Sequence, residues 1–119
     1  MTKKVLIVED ERDIRDLICA TLDPENFEII CAKDGGEALE IVRANSPDVI
    51  VLDIQLPKIN GDEVCRLLRA DPRLSSIKVL MLSGVTQNIG SQNARLVGAD
   101  GYITKPFSPL QLLAKIKSL

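Results

Sequence analysis

Four apolar runs in this chain end on residues that can do chemistry. Val5–Val8 leads into Glu9-Asp10, Val49–Leu52 into Asp53, Val79–Leu82 into Ser83, and Tyr102–Thr104 into Lys105. Carboxylates gathered at one place repel one another and need a cation. Oxygen donors alone, in a chain with no histidine, point to Mg²⁺ over zinc. Mg²⁺ keeps several of its waters, so Asp10 and Asp53 suffice as its carboxylates. Lys105 adds a second positive charge, and the Ser83 hydroxyl can donate to a bound anion. Together these parts suit phosphoryl transfer with Asp53 as the attacking carboxylate. Taken singly, each has an ordinary role: Asp53 a cap, Glu9-Asp10-Glu11 a helix start, Ser83-Gly84 a turn, Lys105 a solvated cation. Their coincidence at strand ends favours the chemical reading.

That coincidence requires a particular set of elements. Val49–Leu52 is an uninterrupted apolar run, which suits a strand buried on both faces of a parallel sheet. Phe27–Cys31 reads as a second strand, between the runs that begin at Val5 and Val49. Ile14, Leu17, Ile18 and Leu22 fall at helical spacing and should face the core, with Asp23-Pro24 ending the helix. Asp34 with Glu37 marks a second helix start, with Ala38, Leu39 and Val42 turned inward. Val64, Leu67 and Leu68 mark a third helix, closed near Asp71-Pro72. Helical spacing is poor from Gln87 to Val97 and Gly90 interrupts it, which predicts a short or mobile fourth helix. Gly98–Gly101 is a turn. Ser108, Pro109 and Gln111 open a fifth helix carried by Leu112, Leu113, Ile116 and Leu119.

Strand and helix alternate five times, which predicts a doubly wound α/β fold with a parallel sheet and five helices on both faces. Residues 1–119 read as one domain. In such sheets the reactive crevice lies beyond the carboxyl ends of the strands. With strand order 2-1-3-4-5, strands one, three, four and five would be neighbours, and their terminal residues would converge.

Composition narrows the function classes. A net charge of -2 with scattered Lys and Arg argues against general nucleic-acid or anionic-membrane binding. Four apolar residues between Lys4 and Glu9 are too few for a leader or a membrane span, so a cytoplasmic location is expected. Without histidine there is no Ser-His-Asp or Cys-His catalysis, and the chain cannot itself be a phosphohistidine donor. Cys19, Cys31 and Cys65 are widely spaced and read as reduced thiols in or near the core.

The motifs, taken in order, resemble the response-regulator receiver domain of two-component signalling, chemotaxis regulators among them. They are V-E-D at Val8–Asp10, D-x-x-L-P-x-I-N-G-x-E from Asp53 to Glu63, L-S-G at Leu82–Gly84, G-A-D-G-Y at Gly98–Tyr102, and K-P-F at Lys105–Phe107. The likeness covers essentially the whole chain, and the flavodoxin-like 2-1-3-4-5 order is carried over from it. It implies that Asp53 takes a phosphoryl group from a phosphohistidine on a sensor histidine kinase or histidine phosphotransfer protein. It implies Mg²⁺, with Mn²⁺ as a substitute, held by Asp10, Asp53 and the Gln55 backbone carbonyl, with Glu9 acting through water. Lys105 would pair with Asp53 or the phosphoryl group, across a cis peptide to Pro106. Ser83 would contact the phosphoryl group and Tyr102 would serve as the switch aromatic. The output face would be the fourth helix, fifth strand and fifth helix, acting on a partner or a fused output domain and serving as a dimer contact. Such a protein is a signalling phosphoacceptor, not a classical enzyme.

Glu9 stands where Asp is common in the family, Ser83 where Thr is common, and Leu56 and Ile59 where Met is common. The alternatives are weaker. A Mg²⁺-dependent phosphohydrolase with an aspartyl-phosphate intermediate needs a second acid at Gln55. An FMN binder needs a phosphate-cradling loop where Glu9-Asp10-Glu11 stands. A degenerate receiver used only for docking would not need its acidic, Ser and Lys positions intact. Gln55 and Val85 occupy positions that line the phosphoryl site in relatives, and they are expected to set its lifetime. Gln55→Ala and Val85→Ala should therefore change the decay rate of phosphorylated protein, followed by loss of label. An unchanged rate in both variants would count against that role.

Overall fold

A computed structural model describes residues 3–25, 27–84 and 98–119 of the chain. Five strands form one parallel sheet in the order β2-β1-β3-β4-β5. They are β1 (Lys4–Val8), β2 (Glu28–Ala32), β3 (Val49–Asp53), β4 (Lys78–Gly84) and β5 (Gly101–Lys105). The helices are α1 (Arg12–Leu22), α2 (Gly35–Asn45), α3 (Gly61–Ala70) and a C-terminal helix (Pro109–Ser118). The helix expected over residues 87–97 lies outside the described residues. No described helix is long and apolar enough to cross a membrane.

Alternation along each strand builds two cores. Leu6 and Val8, Ile50 and Leu52, and Val79 and Met81 pack towards α2 and α3. Val5 and Ile7, Val49 and Val51, and Leu80 and Leu82 pack towards α1 and the C-terminal helix. Both faces of the central strands are therefore covered, which is why their sequences are continuously apolar.

The helix starts follow local chemistry. Asp34 Oδ1 accepts the Glu37 N–H at 2.8 Å, and Ser108 Oγ accepts the Gln111 N–H at 3.1 Å with Pro109 at the first helical position. Asn60 does the same for α3, its Oδ1 accepting the Glu63 N–H at 3.1 Å. Glu11, at the N-cap of α1, makes no side-chain cap bond. Helix capping by Glu11 therefore does not account for the acidic run that begins at Glu9.

Several expectations need correction. Leu17 and Leu67 are 46% and 38% exposed; helical spacing put them near the apolar stripe, but the sheet is covered by Ile18, Leu22, Val64, Cys65 and Leu68. β2 begins and ends one residue later than the Phe27–Cys31 run, because its register with β1 pairs Lys4 with Glu28. A 3-10 turn, Asp23–Glu25, follows α1. Of the three cysteines, Cys65 is buried, Cys19 is partly exposed and Cys31 is exposed. Cys31 is not a core thiol because β2 is an edge strand.

Between β3 and α3, Lys58 has a left-handed backbone (φ 68°), and its Nζ lies 3.5 Å from Asp34 Oδ2 at the start of α2. Arg69 on α3 ties down the turn before β5. Its guanidinium donates to the carbonyls of Gly98 (2.8 Å), Ser75 (3.0 Å) and Ile77 (2.7 Å) and to Asp100 Oδ2 (2.7 Å). Asp100 Oδ2 also accepts the Val79 N–H at 2.8 Å, so the approach to β5 is pinned to the start of β4.

Gly61 lies against the end of β3. Its N–H donates to the Ile54 carbonyl at 2.8 Å. A Cβ placed there would collide with the Asp53 carbonyl oxygen and lie 2.9 Å from Ile54 Cα. Both neighbours are backbone and cannot rotate away. Gly61→Ala should destabilise the fold by about 1–3 kcal/mol, seen as a lower denaturant midpoint. An unchanged midpoint would mean that α3 can shift without cost.

Candidate functional site

The sheet delivers its polar residues to one rim. Val8 pairs with Leu52 across β1 and β3, so Glu9 and Asp53 emerge side by side. Glu9 continues the edge of the sheet by donating its N–H to the Ala32 carbonyl at 3.1 Å. Asp53 pairs with Leu82, and Gly84 with Lys105, which brings β5 to the same end. Ser83 stands on β4 in register with Thr104. The Ser83 side chain and all of Val85 lie outside the described residues.

Lys105 joins the site together. Its Nζ donates to Asp53 Oδ2 and to Glu9 Oε1, each at 2.8 Å. The Lys105–Pro106 peptide is cis, as expected. The other Asp53 oxygen, Oδ1, accepts the Gln55 N–H at 3.1 Å, while the Gln55 residue is exposed. Glu9 Oε2 accepts the Glu11 N–H at 3.2 Å, and Arg15 donates to the Glu9 carbonyl at 2.8 Å. Glu9 is fully buried, Asp53 is 6% exposed, and Asp10 is exposed. Tyr102 is 36% exposed on β5.

Glu9, Asp10 and Asp53 each offer a carboxylate oxygen within 4.8 Å of the others. With all three ionised, Lys105 offsets one charge of three. The donor set is entirely oxygen, and one member faces solvent. That combination fits a hard divalent cation such as Mg²⁺. Burial first, and then the Asp53 charge, push the Glu9 carboxyl up from an ordinary 4.5 to about 7, against the opposing hydrogen bond from Lys105. Burial alone would lower Lys105, but its hydrogen bonds to Asp53 and Glu9 and their charges outweigh this and raise it.

The model of the response regulator receiver domain matches residues 5–117. The chain belongs to that family. It is 40% identical, over 119 residues, to the alkaline phosphatase synthesis transcriptional regulatory protein PhoP of Bacillus subtilis (strain 168). The match covers 100% of this chain and 49% of PhoP, so the chain spans about half the length of that curated relative. Chemotaxis response regulator CheY4 of Vibrio cholerae superposes with a TM-score of 0.92 at 33% identity, covering 99% of this chain and 98% of CheY4. The receiver domain of NtrX from Brucella abortus superposes with a TM-score of 0.89 at 29% identity, covering 96% and 95%. This is a receiver domain of two-component response regulators, with the flavodoxin-like fold. Receiver domains bind Mg²⁺ in an acidic pocket, and the three carboxylates here could hold such an ion.

Sequence reasoning placed Glu9, Asp10, Asp53, Gln55 and Lys105 at one rim, and the geometry brings them together. It did not anticipate the Glu9–Lys105 ion pair, which joins residues 96 apart in sequence. It also missed Arg15, whose place in the first turns of α1 was the available signal.

The raised Glu9 carboxyl has a consequence for metal-free protein. Folded Glu9 holds its proton to about pH 7, whereas the unfolded residue releases it near 4.5. Between those values the folded state binds more protons, so stability falls as pH rises across the window. The fall attributable to Glu9 should be on the order of 1–3 kcal/mol. Glu9→Gln should flatten it in denaturant titrations from pH 4.5 to 7.5. An equal slope in wild type and variant would assign the pH dependence to other groups.

Proposed function

We propose that this receiver accepts a phosphoryl group on Asp53 from a phosphohistidine of a sensor histidine kinase or histidine phosphotransfer protein. The observation that carries the reading is the placement of Asp53, nearly buried, between Lys105 and the carboxylates of Glu9 and Asp10. Lys105 orients the Asp53 carboxylate by its 2.8 Å hydrogen bond. The Gln55 N–H holds the second oxygen, so the carboxylate cannot rotate freely. A carboxylate oxygen of Asp53 attacks phosphorus in line, and the phosphorus–nitrogen bond breaks with its electron pair leaving on the donor histidine.

Asp10, Asp53 and the Gln55 carbonyl would hold Mg²⁺ or Mn²⁺, with Glu9 contributing through water. When bound, the ion neutralises charge on the phosphoryl oxygens. Lys105 supplies the remaining counter-charge. It can turn from Asp53 to the new phosphoryl oxygens while Glu9 retains its other hydrogen bond. Ser83 contacts the phosphoryl group, and Tyr102 moves from its half-exposed position inward. The conformational change is a population shift biased by the added charge. Its output face comprises the segment 87–97, β5 and the C-terminal helix, and the same face serves as a dimer contact. Gln55 and Val85 set the lifetime.

Residues 1–119 act as one phosphoacceptor domain in the cytoplasm, without direct contact to nucleic acid or membrane. Its output passes to a partner or to a fused domain. The name of the B. subtilis relative, a transcriptional regulatory protein, makes transcriptional control one such output. Catalysis is limited to the domain's own phosphorylation and dephosphorylation.

The test is labelling by a small-molecule phosphodonor with and without Mg²⁺, in wild type and Asp53→Asn. Labelling should require both the metal and Asp53, and chelation should abolish it. Label that forms without metal, or that survives the substitution, would overturn the reading.

A further inference from the structure

The sulfur atoms of Cys19 and Cys31 lie 3.1 Å apart. The two residues belong to different elements, α1 and β2. Strand alternation explains the encounter. Cys31 shares a face with Ile29, which packs with Phe27 and Cys19 against the α1 side of the sheet. Cys19 follows the buried Ile18 and turns towards the β2 edge. Cys31 is exposed and Cys19 partly so, which leaves the pair open to small reagents. A disulfide requires the sulfurs to approach to about 2.05 Å, a shift of about 1 Å from where they stand.

We propose that Cys19 and Cys31 are a redox-modification site, closing to a reversible intramolecular disulfide on reaction with a small-molecule disulfide. Cys31, the more accessible sulfur, attacks first as its thiolate. The small disulfide's S–S bond breaks and one thiolate leaves. Cys19 then attacks the Cys31 sulfur, its proton passing to a departing thiolate. The mixed S–S bond breaks and the second thiolate leaves. Two cysteine thiols are oxidised and one small disulfide is reduced to two thiols. Burial first, and then the neighbouring Cys31, push the Cys19 thiol up to about 12. Its greater exposure makes Cys31 the better attacking group. The product ties α1 to β2, which among the described residues is an edge strand paired with β1 alone. The pair shares no residue with the carboxylate cluster at the strand ends.

The experiment treats the full chain with oxidised glutathione and maps its peptides without reduction. A Cys19–Cys31 linked peptide should form from monomer, be reversed by dithiothreitol, and leave the buried Cys65 as a thiol. Cys19→Ser should stop the reaction at a glutathione adduct on Cys31, and Cys65→Ser should leave the link intact. A glutathione adduct that persists on Cys31 in wild type, a Cys31-linked dimer, or no reaction at either residue would each overturn the proposal. The wild-type map decides the matter even if a variant fails to fold.

Discussion

The structure turns on the hydrogen bonds that one ammonium group makes to two carboxylates. Lys105 holds Asp53 and Glu9 at 2.8 Å each, joining the ends of β5, β3 and β1. These strands are not all adjacent, since β4 lies between β3 and β5. The interaction therefore depends on the relative height of three strands across the sheet. A parallel sheet supplies that height because all its strands end on the same side. Partly buried charges of this kind survive only when paired, so the pairing and the sheet register support each other.

The surrounding parts protect this arrangement from slippage. Gly61 allows α3 to begin directly against the Asp53 backbone, and a side chain there would push the two apart. Arg69 and Asp100 fasten the turn before β5 to the start of β4, which fixes where Lys105 arrives. Arg15 holds the Glu9 carbonyl, so the chain turns into α1 with Glu9 facing the sheet end. Gly61 and Arg15 act on backbone at the rim, while Arg69 and Asp100 act at the opposite end of the sheet and set the register that carries Lys105 to the rim.

Much of the fold was legible in the sequence, because periodicity and cap residues act locally. The apolar runs found every strand to within a few residues, and Asp34 and Ser108 announced their helices. Leu17 and Leu67 show the limit of that approach. A helical stripe is broader than the face a sheet can cover, so residues at its margin stay exposed. The site was legible where a residue ended a strand. The long-range partners were not: nothing in local spacing says that Arg69 reaches Asp100 or that Cys19 meets Cys31. Those encounters depend on which helix lies over which strand, a property of the assembled sheet.

Glu9 shows what the assembled sheet adds to residue chemistry. Its side chain is one methylene longer than the aspartate common at this position in the family. In the structure the side chain serves two hydrogen-bond partners at once. Oε1 accepts from Lys105 at 2.8 Å and Oε2 accepts the Glu11 N–H at 3.2 Å. Glu9 is thereby completely buried, and burial raises its carboxyl towards neutrality. A proton and a divalent cation are then alternative ways of reducing the same crowding of negative charge. Losing the Glu9 proton increases the repulsion felt by Asp53 and strengthens the demand for a cation beside Asp10. The longer side chain thus couples the ion pair that orients Asp53 to the charge balance that favours metal.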